Sequence, residues 1–418
     1  MEYDIVIIGG GPAGMMAAGR AGERGARTLL VEKNKSLGVK LLITGHGRCN
    51  ITNNQYGPKE FISRFGKNGK FLFSSLYRFG TADAIDFFQS RGVKTKVEAG
   101  GKIFPQSDRS QDVLNALAGY LKESGVEIKT GVEVKKIVRA GDVIRKIILA
   151  DGTEIKAQNY IIATGGLAYP QTGSTGDGYK WARELGHAIV EPLPALTTII
   201  LKDRFIKDLR GLSFSGVKAT SVRLNKKIHS IGGDIIFTDD GIGGPAIMNL
   251  TRLITRENPG GISLAIDFFP DRDISELDCL LRDEFKKEPN KLLKNILHKF
   301  MPPRLAAVIL KIAEIDGEKK VNAAAKDERK KLTRALKEFR LTIKCLSGFS
   351  RAYITSGGVA LNEVDPATMR SKLIHNLYFA GEVLNLDGPT GGNNLQVAWT
   401  TGFAAGTAAA GALNKDLV

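Results

Sequence analysis

The stretch DIVIIGGGPAGMMAAGRAGERGARTLLVE, residues 4–32, constrains the fold more than any other part of the chain. A short β-branched run (4–8) leads into Gly9-Gly10-Gly11-Pro12-Ala13-Gly14, which fits G-x-G-x-x-G. A small-residue helix (15–24) and a second apolar strand (28–31) follow, closed by Glu32. Each part has a physical task. Gly9 permits the tight turn, and Gly11 lets the backbone approach a pyrophosphate whose charge sits at the helix N-terminus. Gly14 brings helix and strand together. Glu32, 23 positions beyond Gly9, is placed to accept hydrogen bonds from a ribose. A lone glycine motif is weak evidence; strand, loop, helix, strand and acid in order make a dinucleotide-binding unit.

The rest of the composition narrows the class. At 418 residues with 43% hydrophobic and 25% charged side chains, the chain reads as a globular protein of two or three domains. The apolar runs are interrupted before membrane-spanning length. The N-terminal apolar run lacks a preceding basic region, so it reads as a strand and not a signal peptide, and a cytoplasmic location is expected. Cys49, Cys279 and Cys345 are distant and odd in number, and the five histidines are scattered. That argues against a disulfide framework, a metal site or a dithiol centre. The net charge of +16 is local: residues 33–80 hold nine Lys/Arg against Glu60, and residues 201–230 hold eight against Asp203 and Asp208. Such patches can attract RNA phosphates or another polyanion, an anionic cofactor or an acidic substrate, and equally can be solvated surface.

The first 190 residues alternate strand and helix, as a doubly wound sheet does. An amphipathic helical region is expected over 61–90. Its aromatics, Phe71, Phe73, Tyr77, Phe79, Phe87 and Phe88, read first as core packing and second as a base-stacking surface. From about Pro192 short alternating strands suggest an antiparallel sheet or small barrel, and 271–337 turns helical, with Pro302-Pro303 breaking the run. The expected architecture is an α/β, Rossmann-like FAD-binding domain (1–190 and 356–418). It is interrupted by an antiparallel β domain (191–270 and 338–355) carrying a helical subdomain (271–337).

The C-terminal segment holds a second signal. A strand ending in Ala380-Gly381-Glu382 precedes Asp387-Gly388-Pro389-Thr390-Gly391-Gly392-Asn393-Asn394-Leu395-Gln396 and a small-residue helix. It resembles the second flavin-contacting element of two-dinucleotide-fold flavoproteins, in which a helix N-terminus faces the flavin N1/O2 edge. With the first motif and the strand end Ala163-Thr164-Gly165, it favours FAD over NAD. A second strand–loop–helix nucleotide unit is lacking, so a nicotinamide donor would visit a shared face of the flavin.

The loop GVKLLITGHGRCNITN (38–53), together with Thr355-Ser356-Gly357-Gly358-Val359 and Gly391–Gln396, resembles the BaiN/RdsA-like NAD(P)/FAD-dependent oxidoreductases over essentially the whole chain. The resemblance implies FAD held by the first and last segments, with Arg48-Cys49-Asn50 near the isoalloxazine. Cofactor contacts are also expected from Lys33, Lys40, Gly45 and Val134, with a solvated side chain as the alternative for Lys40. NAD(P)H is the implied electron donor. Reducing an activated C=C needs a hydride at one carbon and a proton at its neighbour, for which Cys49 is the candidate donor, with packing beside the cofactor as the alternative. Arg48 is a candidate for stabilising reduced flavin or a developing oxyanion, with a phosphate or backbone contact as the alternative, and His46 for relaying protons, with a structural hydrogen bond as the alternative. The acceptors implied are a uridine in ribosomal RNA, a small steroid-like substrate or a small amine. A non-catalytic, flavin-bearing RNA-binding protein is the reading from a different class.

Overall fold

The computed structural model describes residues 2–54, 57–257 and 261–413, and its contacts divide the chain into two units, Met1–Pro194 with Tyr353–Val418, and Ala195–Ala352.

The first unit is built on a five-stranded parallel sheet. Strand β1 (Tyr3–Ile8) lies between β2 (Thr28–Glu32) and the strand Ala157–Ile162, with Leu377–Phe379 and Glu127–Thr130 at the edges. The central strands are covered on both faces, which is why β1 and β2 are near-continuous buried runs and not alternating ones, whereas the edge strand Glu127–Thr130 is largely exposed. Helix α1 (Pro12–Glu23) packs on the sheet and on the C-terminal helix Asn393–Leu413. That packing requires small residues: a Cβ on Gly402 would lie 2.4 Å from the Ala13 carbonyl oxygen.

The doubly wound pattern expected for the first 190 residues holds for the sheet but not throughout. Two three-stranded antiparallel sheets are inserted. One pairs Thr52–Asn53, Lys102–Pro105 and Thr95–Glu98; the other pairs Val134–Ala140, Val143–Leu149 and Glu154–Ile155. The expected helical region 61–90 is four short pieces, Pro58–Ser63, Gly66–Leu72 (3₁₀), Phe73–Arg78 and Thr81–Ser90. Glycines at 66 and 80 separate them.

The second unit is a closed six-stranded barrel. Its strands run in the order Ile199–Leu201, Gly241–Gly243, Lys226–Phe237, Ser213–Arg223, Ile262–Asp267 and Phe339–Leu346. The helices Ile274–Lys287, Pro303–Ala313 and Lys326–Lys337 do not form a subdomain apart. Their buried Leu277, Leu281, Leu305 and Leu336 share one apolar cluster with Ile266 and Phe339 of the barrel. The expected borders at 190/191 and 355/356 likewise cut through Ile189–Ala195 and Ile354–Val359, which pair with each other and belong mainly to the first unit. No helix among the described residues is long and apolar enough to cross a membrane.

Candidate functional site

The turn after β1 is held without side-chain slack. Gly9 N donates to the Val31 carbonyl at 2.8 Å, and Ala163 N donates to the Ile8 carbonyl at 2.9 Å, so both neighbouring strand ends fix it. A Cβ on Gly14 would sit 1.8 Å from the Gly9 oxygen, which leaves glycine as the one residue that fits. Across the turn, Gly381 has φ +78, and a Cβ there would lie 2.7 Å from Ala13 Cβ. The two ends of the chain therefore meet, with the Ala-Gly-Glu strand end seated on the first glycine motif. The Gly381 N–H is tied down by Thr401 Oγ1 at 2.9 Å.

The acids of the site pin backbone. Glu32 accepts from Gly10 N (2.6 Å) on one oxygen and from Asn34 N (2.8 Å) on the other, leaving further lone pairs for ribose hydroxyls. Glu382 accepts from Thr355 N (2.8 Å) and from Lys40 Nζ (2.8 Å). Lys40 is thus neither solvated nor free: it ties the first segment to the last. Lys33 pairs with Asp177 at 2.6 Å and donates to Thr175. Val134 is buried at the start of its antiparallel strand, opposite Leu149.

Residues 44–50 form a tight turn. Gly45, His46 and Cys49 all lie at positive φ (57°, 58° and 60°), and Cys49 N donates to the Thr44 carbonyl at 2.9 Å. His46 is exposed. Arg48 stacks 4.0 Å over the Phe104 ring and pairs with Glu98 (2.8 Å) and Asp108 (3.3 Å). Glu98 foremost holds its guanidinium in the charged form. Lys96 pairs with Asp108 at 2.5 Å and holds that carboxyl below its usual range.

Of the two roles the sequence left open for Cys49, burial favours packing. Its side chain has 0% exposure within the apolar core, and burial pushes the thiol up to about 12. A thiol that dry, with no water to resupply its proton, packs the turn; the proton-donor role does not suit it. Asn50, with its amide oriented to satisfy its neighbours, donates to the Thr52 and Ile103 carbonyls and accepts from Gly392 N. Thr52 Oγ1 donates to Gln396 Oε1 at 2.6 Å, Gln396 Nε2 donates to Thr400, and Trp399 Nε1 donates to the Ile51 carbonyl. Asn394 closes on Gly388 through both backbone atoms, and Leu395 packs against the core. The loop 38–53 and the start of the last helix are therefore one hydrogen-bonded body.

These residues fit a dinucleotide. Helix α1 starts at Gly11 with no side-chain cap and with Pro12 in its first turn, and a Cβ on Gly11 would meet nothing within 4 Å. An uncapped N-terminus with open space before it is an anion cradle. Two buried oxygens, Thr164 Oγ1 beside Gly165 and Asn393 Oδ1 at the start of the last helix, have no hydrogen-bond partner among the described residues. Buried polar atoms left so ask for a ligand.

Residues 3–408 match the model of the family described as HI0933-like protein Rossmann domain. The chain belongs to this family. Family relatives include the 3-dehydro-bile acid delta(4,6)-reductase of Clostridium scindens, 33% identical over 97% of this chain and 98% of that one. The ribosomal RNA dihydrouridine synthase of Escherichia coli is 30% identical over 96% and 97%. Among solved structures, a 3-ketosteroid-delta4-(5alpha)-dehydrogenase from Rhodococcus jostii superposes with a TM-score of 0.56 at 16% identity, covering 98% of this chain and 96% of that one. This HI0933-like protein has the fold of the FAD-binding flavoproteins and is an FAD-dependent oxidoreductase.

Sequence reasoning did not place four participants. Thr355 lay in a recognised motif, but its hydroxyl, accepting from Leu167 N at 2.8 Å, has no sequence signal. Tyr179, whose hydroxyl donates to the Glu382 carbonyl, and the Arg48 partners Glu98 and Asp108 are brought in only by the fold.

Proposed function

We propose that this chain is a cytoplasmic flavin reductase that passes electrons from NAD(P)H to an activated carbon–carbon double bond, its acceptor being uracil in ribosomal RNA. The observation that carries the reading is the meeting of Gly381 with Ala13, which builds one cradle from both chain ends. The names of the two relatives, a delta(4,6)-reductase and a dihydrouridine synthase, have reduction of a conjugated double bond in common. Bound FAD supplies a two-electron hydride donor that a nicotinamide coenzyme can recharge.

The protein's own groups divide the remaining work. The α1 N-terminus and Gly11 receive the pyrophosphate, Glu32 the ribose, and the Gly381–Glu382 corner with the start of the last helix the flavin end. Glu98 and Asp108 hold Arg48 charged and stacked, ready to meet a developing oxyanion. With Cys49 sealed away, His46 is the residue of the turn that can exchange a proton with solvent and hand it to the substrate carbon. Exposed Lys202, Arg204, Lys207, Lys218, Lys226 and Lys227 on the barrel unit offer phosphate contacts, which favours RNA over a small neutral substrate. The 33% identity to the bile acid enzyme supports a second reading, reduction of a steroid-like enone.

Anaerobic reduction of the purified holoprotein by NADPH or NADH, followed by reoxidation with ribosomal RNA or an unsaturated 3-oxo steroid, separates the two. Mass spectrometry of ribosomal RNA from a strain lacking the protein should show loss of one dihydrouridine; unchanged dihydrouridine would sink the RNA reading.

A further inference from the structure

The segment Gly66–Arg78 carries an outward face that its sequence does not announce. It runs as a 3₁₀ helix to Leu72 and an α-helix from Phe73. Three residues per turn in the first part align Lys67 with Lys70, and the wider α turn aligns Phe73 with Tyr77. Leu72, Leu76 and Phe79 point into the core, as an amphipathic element requires. Phe73 and Tyr77 do the opposite: they are 52% and 55% exposed, with ring centroids 4.9 Å apart and planes tilted by 42°. Packing in the core, the first reading of the sequence for all six aromatics of the region, fails for these two.

The lysines of this stretch are in no ion pair among the described residues. Lys59, Lys67 and Lys70 are exposed, and Glu60 is the sole acid between residues 57 and 80. The segment is also fastened to the flavin cradle. Asn68 Nδ2 donates to the Asn385 carbonyl at 2.9 Å, and Gly388 sits so close to Phe65 that a Cβ would lie 2.6 Å from its ring. Asn385 and Gly388 lead directly into the glycine loop that starts the last helix.

We propose that Lys67, Lys70, Phe73 and Tyr77 form a stacking platform for a single-stranded RNA segment next to the target uracil; this rests on the uracil reading above. Every base offers a π-face to an exposed ring, and lysines beside the rings meet the phosphates between bases. A lipid surface would call for a broader apolar face than two rings set among Gly66, Asn68 and Ser74. An enzyme that reduces a base within RNA must also take that base out of its stack, and neighbouring bases held on rings make the displaced strand easier to keep.

The test uses the full FAD-loaded chain and a fluorescent, unstructured, uridine-rich RNA oligonucleotide, read by anisotropy across a salt series. Phe73→Leu with Tyr77→Leu keeps apolar surface but removes stacking, and should weaken binding about tenfold or more at unchanged salt slope. Lys67→Gln with Lys70→Gln should reduce the slope of log affinity against log salt by about 1.4, roughly 0.7 per lost phosphate contact. Flavin absorbance and thermal midpoint, which these exposed positions should leave alone, report on folding. Undiminished oligonucleotide affinity in the leucine pair overturns the platform. So does tight binding to phosphatidylglycerol vesicles that the leucine pair retains. If the platform binds RNA but no dihydrouridine forms, the uracil reading falls and the platform stands. If dihydrouridine forms equally well with the leucine pair, the platform falls alone.

Discussion

The glycine cradle and the Gly66–Arg78 stripe are joined through Asn385 and Asn68, yet they obey opposite rules. In the cradle the backbone itself is the binding surface, and at Gly9, Gly14 and Gly381 atoms already in contact leave no room for one methyl group. On the stripe the side chains are the surface, the backbone is incidental, and single changes should alter affinity without altering the fold. A site that must grip one rigid cofactor is specified sterically. A site that follows a flexible polyanion can be specified by charge and ring faces alone.

Breaking the cradle gives the largest effect. Gly14→Ala forces a Cβ into the Gly9 carbonyl and should yield protein that neither folds stably nor retains flavin, judged by bound-flavin absorbance and thermal melting. Gly381→Ala, with positive φ and the Ala13 contact both against it, should lose flavin while keeping more of its secondary structure by circular dichroism. Next comes the 44–50 turn, to which the proposed mechanism assigns the proton transfer. His46→Ala should slow the reoxidation half-reaction about a hundredfold, the usual scale for a lost proton donor, with reduction by NAD(P)H little changed. Cys49→Ala should keep turnover and cost about 1 kcal/mol of stability for the sulfur removed from a dry core. A Cys49→Ala enzyme that is inactive yet binds flavin normally would reverse these two roles.

The smallest effect concerns acid stability. His187 is buried against the Phe379 ring, 5.0 Å between centroids, on the strand that leads to Gly381. Ser371 Oγ accepts from Leu373 N and Ile374 N, so its own proton goes to His187 Nε2, at 2.8 Å. The hydrogen-bond network thereby assigns the Nδ1–H tautomer. Burial lowers the imidazole pKa, the nearby Glu363 opposing it in part. The folded state then binds fewer protons than the unfolded one. Stability is complete above the unfolded value of about 6.5 and falls as pH drops through the lower folded value. His187→Leu should flatten that acid limb in melting curves taken across this range.

How much was legible follows from distance along the chain. The first cradle half could be read because its turn, helix and acid lie within one βαβ unit, each marked by residue type. The C-terminal half was legible as a strand, a glycine loop and a small-residue helix, and so was the barrel as short alternating strands. Cys49 was left open between proton donor and packing residue because chemical reactivity is a property of the residue type and burial is not. The separate helical subdomain was misjudged for a related reason. Amphipathic periodicity shows that Leu277 and Leu281 need cover, but not that the barrel provides it. Phe73 and Tyr77 carried no mark distinguishing them from Phe79 and Phe88, which the fold buries.

The sequence by itself determined a nucleotide-binding strand–turn–helix at one end, a matching glycine loop at the other, and an excess of positive charge in two stretches. These depend on which atoms a residue has and on a few neighbours. Tertiary structure alone decided that Lys40 closes on Glu382, that Arg48 is caged by Glu98 and Asp108, and that one cysteine is sealed while one histidine stays wet. Those outcomes depend on contacts between residues tens to hundreds of positions apart, and on water excluded by the whole, neither of which is written in any local window.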